Sequence, residues 1–248
     1  MEASSRPHHV VATHSSWRKH SVLAGLAERF PGLAGTQPPS RTVLQNWLQR
    51  EGAPWLLVNP SQSKHGYEAT VANGQIPTRS GAWHDVFNVL AFLAFPRAKL
   101  ALHTRVLTLQ HERRSTARGV RSREEDALTL LDEAVLIIAG HADGMARLHD
   151  ARQSGHLAAI GAVVLEEDLI VMCFGHALFE HLVFDRPPIG AGVLPLVVPD
   201  GNTSVLASVD QALANAIAEG RFDRPRFGPP LPWPNDDVQN WIRRKRPI

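Results

Sequence analysis

The chain has 248 residues, 26 Lys plus Arg against 24 Asp plus Glu, and 44% hydrophobic residues. These are the proportions of an ordinary globular chain long enough to bury a sizeable core, so collagen-like, coiled-coil and wholly disordered architectures are excluded. A single cysteine, Cys173, excludes an internal disulfide, a CxxC redox pair and a Cys-rich zinc module. The net charge of +2 is nearly neutral. Arginine supplies almost all of the positive charge and chelates phosphate and carboxylate well. The 13 histidines are candidate ligands or proton carriers, although scattered surface histidines are common.

Residues 1–20 read as a mobile polar arm with no apolar run that could serve as a signal core. The pattern predicts a short helix over Ser21 to Phe30, and a second over Arg41 to Gln49 with Ser40 as its cap and an apolar stripe of Val43, Leu44, Trp47 and Leu48. Pro54 to Asn59 is a buried-strand candidate. Residues 60–81 read as loop, with Asn73-Gly74 as the strongest turn signal. Trp83 to Leu102 is apolar nearly all round, the mark of a covered central helix, and Pro96 must kink or restart it. The longest apolar run, Val89 to Phe95, is far too short to span a bilayer. A soluble cytoplasmic protein of bacterial type, with no membrane partner, is the expectation.

Leu107 to Glu125 carries five arginines with Gly119 and reads as an exposed loop. Asp126 to Ala134 reads as a helix capped by Asp126, followed by a strand over Val135 to Ala139. A pair of short polar helices is expected over His141 to Ala159. A strand over Leu169 to Phe174 then enters a sharp turn at Gly175 and a helix over His176 to Val183. Gly192 to Val198 is a further strand, and Ser204 to Glu219 an amphipathic helix. Residues 227–248 read as a Pro-rich, then basic, tail. The elements predict an α+β fold: one helix-rich domain over residues 21–226, with a small sheet and a central apolar helix.

No phosphate-binding loop, dinucleotide fingerprint, HExxH or GxSxG motif is present. His176, Glu180 and His181 fall one residue outside an inverted zinc-protease spacing, which turns the two histidines apart by about 140°. Three polar clusters remain. In the first, His84 and Asn88 lie about 40° apart on a helix with Asp85 beside them. A plainer reading makes this a capping network at the start of the helix. In the second, His176 sits at the end of a strand and shares a helix face with Glu180, either as a functional pair or as a buried structural one. The third is Asp126 with Asp132-Glu133. A carboxylate at Glu133, near a helix C-terminus, is costly unless it is paired. The arginines of residues 113–123 and the Arg243-Arg244-Lys245-Arg246 run raise nucleic acid as a partner, but neighbouring acids dilute them and no aromatic is interleaved. Specific nucleic-acid binding is therefore not expected.

Trp83-His84-Asp85-Val86-Phe87-Asn88 running to Phe95-Pro96-Arg97-Ala98-Lys99, then Asp126 to Glu133, then Phe174-Gly175-His176-Ala177-Leu178-Phe179-Glu180, form a sequence of motifs. In this order they resemble a proteobacterial family of uncharacterised proteins, catalogued as domain of unknown function 3025. The resemblance spans roughly Trp55 to Val198, with Tyr67-Glu68 and Thr78-Arg79 as its lead-in. The chain departs from it where Ala134-Val135 replace a glycine-containing turn, and where the C-terminal Gly- and Trp-rich segment survives as Pro232-Trp233-Pro234-Asn235. The resemblance implies that the three clusters belong together, and it brings no established activity.

Two function classes follow. One is a small-molecule enzyme of hydrolase or lyase type, with His84, Asp85, His176 and Glu180 as catalytic groups. Arg79, Asn88 and Glu133 would contact the substrate, Arg79 as an anchor for an anionic group. The site is either metal-free acid/base machinery or a divalent metal held by His84, His176 and Glu180. The other class is a binding or scaffold protein in which the same pairs are core hydrogen-bond networks. The enzyme reading requires His84, Glu133, His176 and Glu180 to line one pocket.

Overall fold

The structure, a computed structural model, describes residues 17, 19–115, 120–198, 205–220, 222, 227 and 229–243. Its helices are α1 (Ser21–Arg29), α2 (Arg41–Arg50), α3 (Tyr67–Ala72), α4 (Trp83–Ala94), α5 (Pro96–Ser115), α6 (Arg123–Ala134), α7 (Ala142–Gln153), α8 (Leu157–Glu166), α9 (Ala177–Val183), α10 (Val205–Ala218) and α11 (Asp236–Arg243). The strands are β1 (Leu56–Val58), β2 (Gln75–Pro77), β3 (Val135–Gly140), β4 (Ile170–Cys173), β5 (Ile189–Val197) and β6 (Leu231–Trp233). The architecture is α+β and dominated by helix.

A mixed four-stranded sheet in the order β4-β3-β5-β6 stands at the centre. Strand β3 runs parallel to β5, while β4 and β6 are antiparallel to their neighbours. Successive residues of β3 enter opposite cores: Leu136 and Ile138 join one apolar cluster, and Val135, Ile137 and Ala139 the other. A sheet covered on both faces needs no polar alternation, so β3 and β4 read as continuous apolar runs. Helix α4 packs into the first cluster and α5, α6 and α10 into the second.

Pro96 restarts the chain as expected. Helices α4 and α5 meet at 113°, and among the described residues no single helix is long and apolar enough to cross a membrane. The N–H groups at the start of α5, which have no partner within the helix, are satisfied from a distance: Asp210 of α10 accepts from the Arg97 and Ala98 amides at 3.1 and 2.8 Å.

The structure corrects several expectations. Residues 60–81 are not loop throughout: they hold a 3-10 turn, α3, and β2, which pairs in parallel with β1. Helix α5 continues to Ser115, so Arg113 and Arg114 are helical, while residues 116–119 lie outside the described residues. Helix α6 begins at Arg123 rather than Asp126. Ser122 caps it in a reciprocal box with Glu125, because that serine hydroxyl and the third-position glutamate satisfy two orphan amides together. The second of the two helices expected over His141 to Ala159 is α8, which runs on to Glu166 and there buries Ile160, Val163 and Val164.

The C-terminal segment is not a free tail. Strand β6 adds to the sheet edge, Trp233 is 0% exposed, and its indole donates to the Leu178 carbonyl at 2.9 Å. Val238, Trp241 and Ile242 of α11 are buried as well. At the other end Trp17 is buried with its ring 5.4 Å from that of Trp83, so the expected arm packs by residue 17. Residues 1–16 and 244–248, with most of the basic run, lie outside the described residues.

Candidate functional site

The first turn of α4 presents His84 and Asp85, and Asn88 follows one turn later. Asp85 does not cap its own helix. It accepts the Arg79 amide at 2.5 Å, and its oxygens take the guanidinium through Nη2 at 2.6 Å and Nε at 3.1 Å. This buckle closes the segment that leads into α4 and turns Arg79 toward the same cavity as His84.

His176 stands immediately before α9, and Gly175 is what lets it reach the other cluster. A Cβ on Gly175 would lie 2.5 Å from the backbone nitrogens of Ala134 and Val135. Only a glycine lets the turn press against the point where α6 passes into β3, and the Gly175 and His176 amides then bond the Val135 and Asp132 carbonyls at 2.9 and 3.0 Å. The contact sets His176 beside Asp132 and Glu133, so two of the three motifs are joined by backbone.

The third joins through His84. Its Nδ1 donates to Glu180 Oε1 at 2.8 Å, and its Nε2 lies 3.0 Å from His176 Nε2. Glu133 Oε2 is 3.7 Å from the same His176 nitrogen. One ligand atom from each of His84, Glu133 and His176 falls within 4.8 Å of the others. The set that converges is thus not the expected His84, His176 and Glu180. An imidazole carries its nitrogens on opposite edges, so a carboxylate bonded at Nδ1 cannot also face what gathers at Nε2. Glu180 stands behind His84, where it also meets Arg186 at 3.0 Å. His181 points away, its Nδ1 on the Pro187 carbonyl at 3.0 Å.

The protonation states suit this arrangement. Burial pushes His176 down to about 4, against the opposing pull of Asp132, so its ring is neutral near neutral pH. The Glu180 bond raises His84 above the ordinary histidine value against the effect of burial. Burial and then the neighbouring Asp132 raise Glu133. Burial by itself would raise Asp132, but Lys99, His176 and His103 together draw it well below the usual carboxylate range.

Beneath the three convergent groups lies a second network that sequence reasoning missed. Lys99, 0% exposed, binds the Asp132 carboxylate and donates to Asn88 Oδ1 at 2.8 Å. Asn88 in turn donates to the Tyr67 hydroxyl at 2.7 Å. His103 packs edge-on to Tyr67, and its buried Nε2 has no hydrogen-bond partner among the described residues. Asp126 takes no part: it is half-exposed and pairs with Arg121 at 3.5 Å. A signal for Lys99 and His103 was present, because both fall at helical spacing on the stripe that carries Ala98, Leu102 and Val106.

These groups open onto a cavity of about 580 Å³, a volume suited to a small molecule. His84, Glu133 and His176 line it together with Arg79, Asp85 and Asn88, whereas Glu180 is held back behind His84. Arg113 and Arg121 also line it, so part of the arginine-rich segment faces the site instead of forming a detached loop.

A family model described as protein of unknown function DUF3025 matches residues 57–244. The chain belongs to that family. The DUF3025 match takes in all three polar clusters and continues through β6 and α11, beyond the span that the motifs alone suggest. No curated protein and no solved structure matches the chain.

Proposed function

We propose that this chain is a metal-dependent hydrolase of a small molecule, with a divalent ion held by His84 Nε2, His176 Nε2 and a Glu133 oxygen. The observation that carries this reading is the convergence of those three atoms within 4.8 Å on a cavity wall. Tetrahedral ligands at about 2.0–2.1 Å from an ion stand roughly 3.3 Å apart, and the separations of 3.0 and 3.7 Å bracket that value. Glu180 on Nδ1 fixes the His84 tautomer that turns its Nε2 lone pair inward. A neutral His176 is a competent ligand.

Three protein ligands leave a coordination position for water or substrate, as in catalytic rather than structural sites. An ion there would polarise an electrophilic group and lower the pKa of a bound water toward neutral pH, so that hydroxide is available as a nucleophile. Tyr67 accepts from Asn88, and burial, aided by Asp132, keeps its hydroxyl protonated, so its own proton is available to a substrate oxygen. Arg79, at the cavity wall, faces anionic groups near the same end.

Metal analysis of the purified chain tests the reading. About one divalent ion per chain is expected, lost in His176→Ala and Glu133→Ala. In Glu180→Gln the affinity should fall about 10- to 100-fold, the usual effect of a group that orients a ligand. A metal-free wild type that gains no affinity for zinc, manganese or iron would overturn it. One observation favours a second reading: 3.0 Å is also the length of a direct N–H···N bond between the two rings. A metal-free relay from Glu180 through His84 to His176 would leave hydrolysis intact after chelation. A core network without catalysis would show as a large stability loss in His176→Ala from a metal-free parent.

A further inference from the structure

Beside the three convergent groups the cavity wall holds two uncharged groups that the network leaves unused. Lys99 and His103 stand one turn apart on the buried stripe of α5. The first bonds Asn88, the second packs on Tyr67, and Asn88 and Tyr67 are bonded to each other. An ammonium can only donate, so Lys99 fixes the Asn88 amide with Oδ1 toward Nζ and Nδ2 toward the tyrosine. Tyr67 is therefore the acceptor of that bond. Among the described residues nothing accepts the proton of its own hydroxyl.

His103 supplies the second unused group. Its ring is only 4% exposed, yet it lines the cavity with Tyr67. Phe92 stacks on it at 5.6 Å and Tyr67 meets it edge-on at 5.1 Å, which fixes the ring without pairing its Nε2. Burial pushes the group down to about 3, so the imidazole is neutral near neutral pH. A buried polar atom without a partner lowers stability, and an apolar side chain in its place would not. The neighbouring cations are committed elsewhere. Lys99 holds Asp132 and Asn88, and further along the wall Arg113 pairs with Glu125 and Arg121 with Asp126.

We propose that Tyr67 and His103 form a subsite for an uncharged hydroxyl, which makes the substrate an alcohol or polyol. Tyr67 donates to a hydroxyl oxygen. A hydroxyl also serves His103 in either tautomer, since it can donate to a bare Nε2 or accept from a protonated one. A carbonyl only accepts and an ammonium only donates, and a carboxylate would find no uncommitted cation in Lys99. The two residues select the molecule, while the reacting bond stays with His84, Glu133 and His176. Naming this as the class of substrate rests on the hydrolase reading above, whereas the subsite itself needs no ion.

Nuclear magnetic resonance of the full chain with isotope-labelled histidine, recorded with a chelator present, tests this. The probe is cyclohexanol, against cyclohexanecarboxylate and cyclohexylammonium as charged rings of similar size. Cyclohexanol should shift the His103 ring nitrogens, and both ions should bind about tenfold or more weaker. Tyr67→Phe should weaken the alcohol about tenfold. His103→Leu should do the same while Tm stays at or above the wild-type value, because it removes an atom that the free protein leaves unpaired. Wild-type His103 nitrogens that ignore the alcohol, as they would if water alone answered them, overturn the proposal even where a variant fails to fold. An ion that binds as tightly as the alcohol does so too, as does a sharp fall in Tm for His103→Leu, which would assign the histidine to the core. A chain that binds no metal yet shows the alcohol response would sink the metal reading and leave the subsite, and a metalloprotein without the response would do the reverse.

Discussion

Replacing Lys99 by Met probes the network that supports the centre without touching any of the three convergent groups. The ammonium is 0% exposed and holds Asp132, donates to Asn88 at 2.8 Å, and sits 4.7 Å above the Phe92 ring. Methionine keeps most of the stem and removes the charge. The Asp132 carboxylate, 15% exposed, is then left without its cation, a change that typically costs about 3–5 kcal/mol. For a domain of this size that corresponds to a fall in Tm of about 6–20 °C. The double variant Lys99→Met with Asp132→Leu removes both charges, and buried pairs replaced by apolar groups are often neutral to within about 1 kcal/mol. Urea unfolding followed by circular dichroism gives both numbers and the coupling between the sites. A single variant that loses less than about 1 kcal/mol, or a double variant as unstable as the sum of the two singles, would refute this account of the pair.

Three further outcomes are expected. His176 and His103 titrate when folded at about 4 and about 3, below the ordinary histidine value, because burial disfavours their charged forms. At these two positions the unfolded chain therefore binds more protons below about pH 6.5, so their contribution to stability is complete above that pH and falls as pH drops toward 4, at about 1.4 kcal/mol per pH unit for each histidine. A flat Tm profile of the chelated protein between pH 7 and 4.5 would contradict this. Gly175→Ala drives a methyl into backbone and not into a yielding side chain, so it should cost at least about 1–3 kcal/mol and displace His176, read as lowered Tm together with weakened metal binding. Trp233→Ala should cost about 3–5 kcal/mol in chemical denaturation, and a chain cut after residue 226 should fail to give a cooperative transition, since β6 and α11 complete one core.

Local chemistry determined a good part of this protein. The apolar runs of β3 and β4, the Ser40 cap, the break at Pro96, the turn at Gly175 and the all-round apolarity of α4 are written within windows of a few residues, and each was legible there. The three motifs also contain His84, Glu133 and His176, the groups that converge. Of the short elements, β1 was legible as the apolar run after Pro54, but others were not. A six-residue helix such as α3 or a three-residue strand such as β2 lies below the length at which a periodic pattern accumulates or an isolated helix is stable, and each forms because neighbouring elements cover it. Trp233 and Trp241 could not be recognised as core while their partners lay dozens of residues upstream: Leu178 for one, and for the other Gly161, where an added Cβ would lie 2.8 Å from the ring. The assignment of roles was decided by tertiary structure alone. Spacing along one helix made Glu180 the natural partner of His176, yet His84 arrives from α4 with a nitrogen toward each of them, leaving Glu180 behind the ring and bringing Glu133, from the end of α6, to the front. Sequence determines which side chains share a helix face. Which edge of an imidazole meets which carboxylate depends on how three separate elements dock, and that is fixed by the packing of the cores around them.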